Sequence, residues 1–370
     1  MAEQRGGQRD LPGHGPEDPA LWPLRAARFA LDACFWWLPH GEADPDPVPL
    51  SWTTPNVALL ELTTMRLCDC SQGAGGQPVL VCAPLALHQA LIVDFAPGHS
   101  VVQSLRAGGI DRVYLTDWRS ATPDMRYLSI DSYLGDLNVA IDEIGTPVDL
   151  VGLCQGGWLS LIYAARFPAK VRRLVLVGAP VDLSIESGLS RLARAVPNLV
   201  FDQLLARGGG NVSGGEMLWV WSKPQTRAAI AATLQRDLSD PDGAALLERF
   251  ERWNLETLDL PGTYYLQVVK WIFRENRIAA GHFQALGRVV DLKQVKMPVY
   301  LLAGREDDVV PVEQALATAG LLGTPPALIA TASESSNHLG LFMGARIHQS
   351  AWPRIAAWLG AEPSAAAPEA

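Results

Sequence analysis

The chain has 370 residues, 48% of them hydrophobic and 19% charged, enough for a substantial core in one large domain with an insertion or in two modest domains. A formal net charge of -9 leaves no basic footprint for nucleic acid, and no run reaches the roughly eighteen apolar residues of a membrane-spanning helix. Five cysteines at irregular spacing, with Cys68-Asp69-Cys70 lacking a second pair and no histidines at zinc spacing, argue against a metal site and for reduced thiols in a cytoplasmic setting.

In chain order, residues 1–20 are polar and rich in Gly and Pro, carry no apolar signal core, and read as a disordered tail. Residues 21–48 form an N-terminal helix and linker. Leu24–Leu38 is amphipathic, with Phe35, Trp36 and Trp37 adjacent; packing onto the domain is the plain expectation and adsorption to a surface the alternative. Gly41–Pro49 is an acidic, Pro-rich linker. Ala58–Leu67 and Pro78–Cys82 read as strands, His99–Ala107 as a helix stopped by Gly108-Gly109, and Arg112–Thr116 as a strand ending in Asp117-Trp118. A helix at Asp131–Ile144, a strand at Val148–Gly152, a helix at Trp158–Phe167 and a strand at Val171–Gly178 follow. Strands and helices alternating at these lengths define an α/β protein with a mostly parallel sheet and helices on both faces.

The rhythm breaks at 183–290, which has helical and loop character, many aromatic residues and no clear strand; it reads as a cap inserted between core segments 49–182 and 291–360. Val299–Ala303 and Ala327–Thr331 are expected strands, Val312–Gly320 and Ile347–Leu359 helices, and 361–370 a disordered tail.

Gly152-Leu153-Cys154-Gln155-Gly156 lies where a strand becomes a helix. It is the nucleophile-elbow pattern of the α/β-hydrolase fold with sulfur in place of hydroxyl. Small residues two before and two after the nucleophile let strand and helix approach, and the helix N-terminus favours a thiolate. On this fold the partners follow in the order acid, then histidine. Asp307, just past a strand end and before Val309-Val310-Pro311, has the spacing of the acid; Asp308 competes as a solvent-facing or helix-capping residue, and Glu306 reads as a solvated charge. Among seven histidines, only His338 has both the required order and a post-strand position. Cys154 as nucleophile, His338 as base and Asp307 as orienting acid fit acyl chemistry through a thioester. Backbone N–H groups of Gln155 and of the Leu85–His88 loop, represented by Leu87, are the expected oxyanion donors. Thiolate leaves more readily than alkoxide, which favours acyl transfer over hydrolysis.

Further motifs resemble the polyhydroxyalkanoate synthases, with kinship to intracellular polyhydroxybutyrate depolymerases. The resemblance covers roughly Pro49 to Leu359. It rests on Gly152-Leu153-Cys154-Gln155-Gly156-Gly157, Ala83-Pro84-Leu85 through Asp94, Trp253-Asn254, Leu260-Pro261-Gly262, Glu275-Asn276-Arg277, and Arg305-Glu306-Asp307 with Val310-Pro311. Leu85, His88, Asp308 and Trp158 depart from the synthase pattern, and Tyr114–Trp118 and the run from His338 are similar to the depolymerases. The resemblance implies an acyltransferase acting on 3-hydroxyacyl-coenzyme A thioesters, with the thioester as substrate and no separate cofactor. A depolymerase or thioesterase is the alternative, and an inactive granule-associated scaffold the third. His88, Trp158, Trp253 and Tyr264 are the expected substrate-pocket residues; Trp158 either walls the site or packs under the cap. The family further implies a homodimer, a second synthase subunit for chains of this length, and contact with a polyester granule.

Overall fold

The computed structural model describes residues 50–221 and 225–361. The expected tail at 1–20, the Leu24–Leu38 helix, the Gly41–Pro49 linker and the tail from 362 onward lie outside the described residues.

The core is an eight-stranded sheet. Its strands are β1 (Val57–Glu61), β2 (Met65–Asp69), β3 (Val79–Cys82), β4 (Val113–Trp118), β5 (Val148–Leu153), β6 (Val171–Val177), β7 (Val299–Gly304) and β8 (Ile329–Glu334). They lie in the order β1-β2-β4-β3-β5-β6-β7-β8. The pairs β1/β2 and β2/β4 are antiparallel, and every pairing from β4 to β8 is parallel. The central strands β3, β5 and β7 are buried at every position, as strands covered on both faces must be. That explains their near-continuous apolar sequences.

Helices α1 (Val101–Ala107), α2 (Ile130–Ile144) and α3 (Gln155–Arg166) connect the first strands. Between β6 and β7 lie α4 (Gly188–Ala195), α5 (Asn198–Arg207), α6 (Gly214–Trp221), α7 (Arg227–Leu234), α8 (Pro241–Leu255) and α9 (Gly262–Gln267), the last running into a π-helical turn at Val268–Arg274. The chain closes with α10 (Val312–Leu321), α11 (Gly340–Met343) and α12 (Ala345–Gly360).

The structure corrects several boundaries. The single strand expected at Ala58–Leu67 is a hairpin, because Leu62 N–H closes a turn on the Met65 carbonyl (2.8 Å) and Asp136 holds both the N–H and hydroxyl of Thr64. His99 does not begin a helix; it forms a short antiparallel pairing with Ala96, and Ser100 caps α1. The insertion does contain strands, of two residues each: Asn211–Val212 pairs with Leu260–Pro261, and Gln284–Ala285 with Arg288–Val289. Such short pieces leave no periodicity to detect.

Packing is tight where α3 leaves β5. A Cβ at Gly156 would sit 2.2 Å from the Cys82 carbonyl oxygen and 2.5 Å from that of Ala83. One at Gly152 would sit 2.6 Å from the Gly157 Cα, and one at Gly157 would sit 2.5 Å from the Ala179 Cβ. Gly135, in α2, has open space around its missing Cβ. In chemical denaturation, Gly156→Ala should therefore cost about 1–3 kcal/mol through overpacking against backbone, whereas Gly135→Ala should gain about 0.5–1 kcal/mol of helix propensity. Equal effects of the two substitutions would refute this packing account.

Candidate active site

Cys154 stands between β5 and α3 with φ 49° and ψ -117°, a conformation rare for a side-chain-bearing residue. It is held there from both sides. Its N–H donates to the Val177 carbonyl (2.9 Å), tying it to β6, and its carbonyl accepts from Gly157 N–H (2.9 Å) in the first turn of α3. The half-buried sulfur lies at the helix N-terminus, whose unpaired amides and dipole favour negative charge. Cys68 and Cys82 are buried within the sheet, where burial pushes each thiol up to about 12. Cys70 is also buried and raised by the same cause.

The strand ends of β7 and β8 bring in the other two residues. A Cβ at Gly304 would lie 2.4 Å from the Ser336 carbonyl oxygen, so glycine lets the two loops meet backbone to backbone. Arg305 N–H donates to the Glu334 carbonyl (2.8 Å) and Glu306 N–H to that of Ser336 (3.1 Å). These contacts extend β8 three residues past its expected end at Thr331. Polar Ser333 and Glu334 join the ladder because Ala303 and Gly304 are their partners.

Asp307 is buried while Glu306 and Asp308 are exposed, which selects Asp307 as the residue facing the site. Its Oδ1 accepts from the N–H groups of Val309 (2.9 Å) and Val310 (2.8 Å), and its Oδ2 lies 2.7 Å from His338 Nδ1. One carboxylate oxygen is thus anchored by backbone while the other orients the imidazole. Nε2 is the ring nitrogen left to face the Cys154 side chain, whose sulfur bears electrostatically on the imidazole. Burial works against an imidazolium here, but Asp307 and the Cys154 sulfur overcome it and raise His338 well above its usual range. Phe342 packs edge-on against the ring at 5.3 Å between centroids.

The insertion touches this histidine loop. Asn337 Nδ2 donates to Thr233 Oγ1 at the end of α7 (2.9 Å), Asn337 Oδ1 accepts from Gly340 N–H (2.9 Å), and Gln235 Nε2 donates to the Ser335 carbonyl (3.2 Å).

The remaining expected residues are placed differently from one another. Gln155 opens α3, so its N–H is an uncommitted first-turn donor beside Cys154. Leu87 is stitched to the insertion: its carbonyl accepts from Leu258 N–H (2.9 Å), and neighbouring His88 bridges Thr257. The segment against the elbow is instead Cys82–Ala83, several residues earlier. His88 packs against Trp253 with the rings tilted at 44° and 4.3 Å between centroids, and its burial lowers the imidazole to about 4, so it stays neutral. Trp253 is buried in α8, its Nε1 3.4 Å from the Gln89 carbonyl. Trp158 is wholly buried one turn along α3 from Cys154. Tyr264, in α9, is buried with its ring 4.6 Å from that of Tyr133.

Sequence reasoning missed a clamp on the loop after β3. Ala83 N–H donates to Thr116 Oγ1 (3.0 Å), and the Ala83 carbonyl accepts from Trp118 Nε1 (2.8 Å). Thr116 and Trp118 point the same way from β4, two residues apart, as strand alternation requires. The Asp117-Trp118 motif was visible in sequence, but its partner was not.

The strand order, the elbow and the partners beyond β7 and β8 define an α/β-hydrolase-fold protein. A hydrolase from Pseudomonas aeruginosa superposes with a TM-score of 0.53 at 18% identity, covering 83% of this chain and 98% of that one. A monoacylglycerol lipase from Paleococcus ferrophilus superposes at 0.51 and 18%, covering 80% and 98%. A family profile described as PHB de-polymerase C-terminus matches residues 226–362. Poly(3-hydroxyalkanoate) polymerase subunit PhaC of Synechocystis is 32% identical over 305 residues, 76% of this chain and 77% of that protein. Its namesake from Allochromatium vinosum is 30% identical over 298 residues, 77% and 82% of the two chains. The chain belongs to the poly(3-hydroxyalkanoate) polymerase PhaC family.

Two measurements follow from the geometry. Brief treatment of the folded protein with iodoacetamide should modify Cys154 and leave Cys68, Cys70 and Cys82 intact until denaturant is added, as read by peptide mapping. The raised histidine also has a sign. Its stabilising contribution is fully present below its ordinary value near 6.5 and is lost as pH rises through the higher folded value. Asp307→Asn removes the main charge supporting the imidazolium, so NMR should find His338 titrating at lower pH; an unmoved titration would show that Asp307 does not set it.

Proposed function

We propose that this chain is a Cys154–His338–Asp307 acyltransferase acting on 3-hydroxyacyl-coenzyme A thioesters and building polyester from them. The observation that carries this reading is the strained Cys154 at the head of α3, in the electrostatic field of an imidazole whose Nδ1 lies 2.7 Å from a buried carboxylate. Membership of the polymerase family supports this choice of substrate class.

In the first half-reaction the Cys154 sulfur bonds to the thioester carbonyl carbon, and the bond from that carbon to the coenzyme A sulfur breaks. His338 returns the Cys154 proton to the departing thiolate. In the second, the hydroxyl of another acyl unit attacks the Cys154-bound carbonyl while His338 accepts its proton, and the Cys154 sulfur leaves. Asp307 fixes the imidazole tautomer and supports its charge in both. Cysteine suits this exchange because thiolate is both a good nucleophile and a good leaving group.

The developing oxyanion would be held by Gln155 N–H and a donor from the loop after β3. Ala83 has given its N–H to Thr116 and Pro84 has none, so Leu85 is the first residue of that loop with an N–H to offer. Leu85, not Leu87, is therefore our second donor.

Incubation with 3-hydroxybutyryl-coenzyme A should release free thiol and leave a hydroxybutyryl adduct on Cys154, detectable by mass spectrometry. Cys154→Ala should abolish both, and Asp307→Asn should slow turnover by about 10³–10⁴. Thiol release that persists in Cys154→Ala would overturn the assignment. The match of residues 226–362 to the depolymerase profile favours one second reading, hydrolysis, in which water replaces the alcohol in the second step. Soluble hydroxy acids from amorphous polyester, without polymer from the thioester, would select it.

A further inference from the structure

The ring of Tyr264 is almost completely buried, at 1% exposure, yet no protein group accepts or donates a hydrogen bond to its hydroxyl among the described residues. Leaving a buried hydroxyl unpaired is unfavourable, so its persistence asks for a partner the protein does not supply. Its surroundings locate that partner. Tyr264 packs on Tyr133 (4.6 Å between centroids), Tyr133 on Trp118 (5.6 Å), and Trp118 holds the Ala83 carbonyl, which abuts Gly156 beside the nucleophile. A continuous wall of contacts therefore runs from α9 of the insertion to the elbow. Cys154 and Cys82 are among the few ionisable groups within electrostatic reach of the phenol.

We propose that the Tyr264 hydroxyl donates a hydrogen bond to an oxygen of the acyl group bound at Cys154, making it a substrate-contacting residue contributed by the insertion. This rests on the acyl-transfer reading and adds a third donor to the two backbone amides. Burial, with Tyr133, Cys82 and Cys154 adding to it, raises the phenol well above its usual range. It remains protonated wherever the enzyme works, and an acyl oxygen is the acceptor such a permanent donor lacks.

Tyr133 provides the matched control. Its hydroxyl is also buried without a partner among the described residues, but it is carried by α2 of the core and not by the insertion. The experiment compares Tyr264→Phe, Tyr133→Phe and the parent chain by three readouts: the rate of Cys154 acylation by 3-hydroxybutyryl-coenzyme A, the rate of Cys154 alkylation by iodoacetamide, and the melting temperature. Losing one such donor should slow acylation by about 10–100-fold, toward the lower part of the range for oxyanion donors. Alkylation, which needs the thiolate but no acyl oxygen, should stay within about twofold, and melting should hold or rise because an unpaired hydroxyl is removed. Tyr133→Phe should acylate like the parent.

A Tyr264→Phe variant that acylates at the parental rate would overturn the inference while leaving the acyl-transfer reading intact. Equal slowing in both variants, or slowing matched by a lower melting temperature and slower alkylation, would also overturn it, since each marks a packing effect. If the parent chain itself is not acylated, the functional reading fails and this inference falls with it.

Discussion

Everything about the site depends on how closely backbones approach at the start of α3. Cys154 occupies an unfavourable conformation, and such strain persists only where surroundings over-determine it. Here they do so largely through backbone contacts. Gly156 rests on the carbonyls of Cys82 and Ala83, Gly152 on Gly157, and Gly157 on Ala179. The sheet and helix are therefore locked at a separation no Cβ would tolerate. That separation projects the sulfur above the strand ends, beside the loops that follow β7 and β8.

The same device recurs at the second half of the site. Gly304 permits β7 to meet the loop after β8, and two backbone hydrogen bonds, from Arg305 to Glu334 and from Glu306 to Ser336, bind the acid turn to the end of β8 and the loop that carries the histidine. The charge distribution follows from that geometry. Asp307 is buried because its turn is pulled inward, and its two anchoring amides compensate part of the desolvation. The imidazole inherits a fixed orientation and a raised affinity for its proton. The core follows the general plan of this fold, with sulfur where the elbow pattern usually carries a hydroxyl. The insertion, through Asn337–Thr233 and Tyr264, is where the chain departs from a bare scaffold.

Much of this was legible in the sequence because the signals are local. A strand, a turn with glycines at fixed offsets and a helix identify Cys154; position after a strand identifies Asp307 and His338. The hidden features join residues far apart in the chain. The Trp118 clamp on Ala83 and the Tyr133–Tyr264 ring contact leave no mark on either segment alone. Leu87 looked suitable because it sits in the right loop, but only pairing with Leu258 shows that part of the loop bound to the insertion. The end of β8 was obscured because Ser333 and Glu334 carry no strand-like side chains; their pairing with Ala303 and Gly304 decides the matter.

The acid turn carries a consequence for how this protein would wear out. Arg305, Glu306 and Asp308 are exposed, so the segment resembles an ordinary surface loop. Its amides do not behave as one: those of Arg305, Glu306, Asp307, Val309 and Val310 are all spoken for within the turn or by the neighbouring loop. Breaking those of Arg305 and Glu306 means parting the end of β7 from β8 and its loop, an opening of a different order from the fraying of a loop. Ageing and mild heating should therefore leave the imidazole aligned until a large cooperative unit gives way, so that a population losing activity would consist of fully competent and wholly opened molecules with few of intermediate quality.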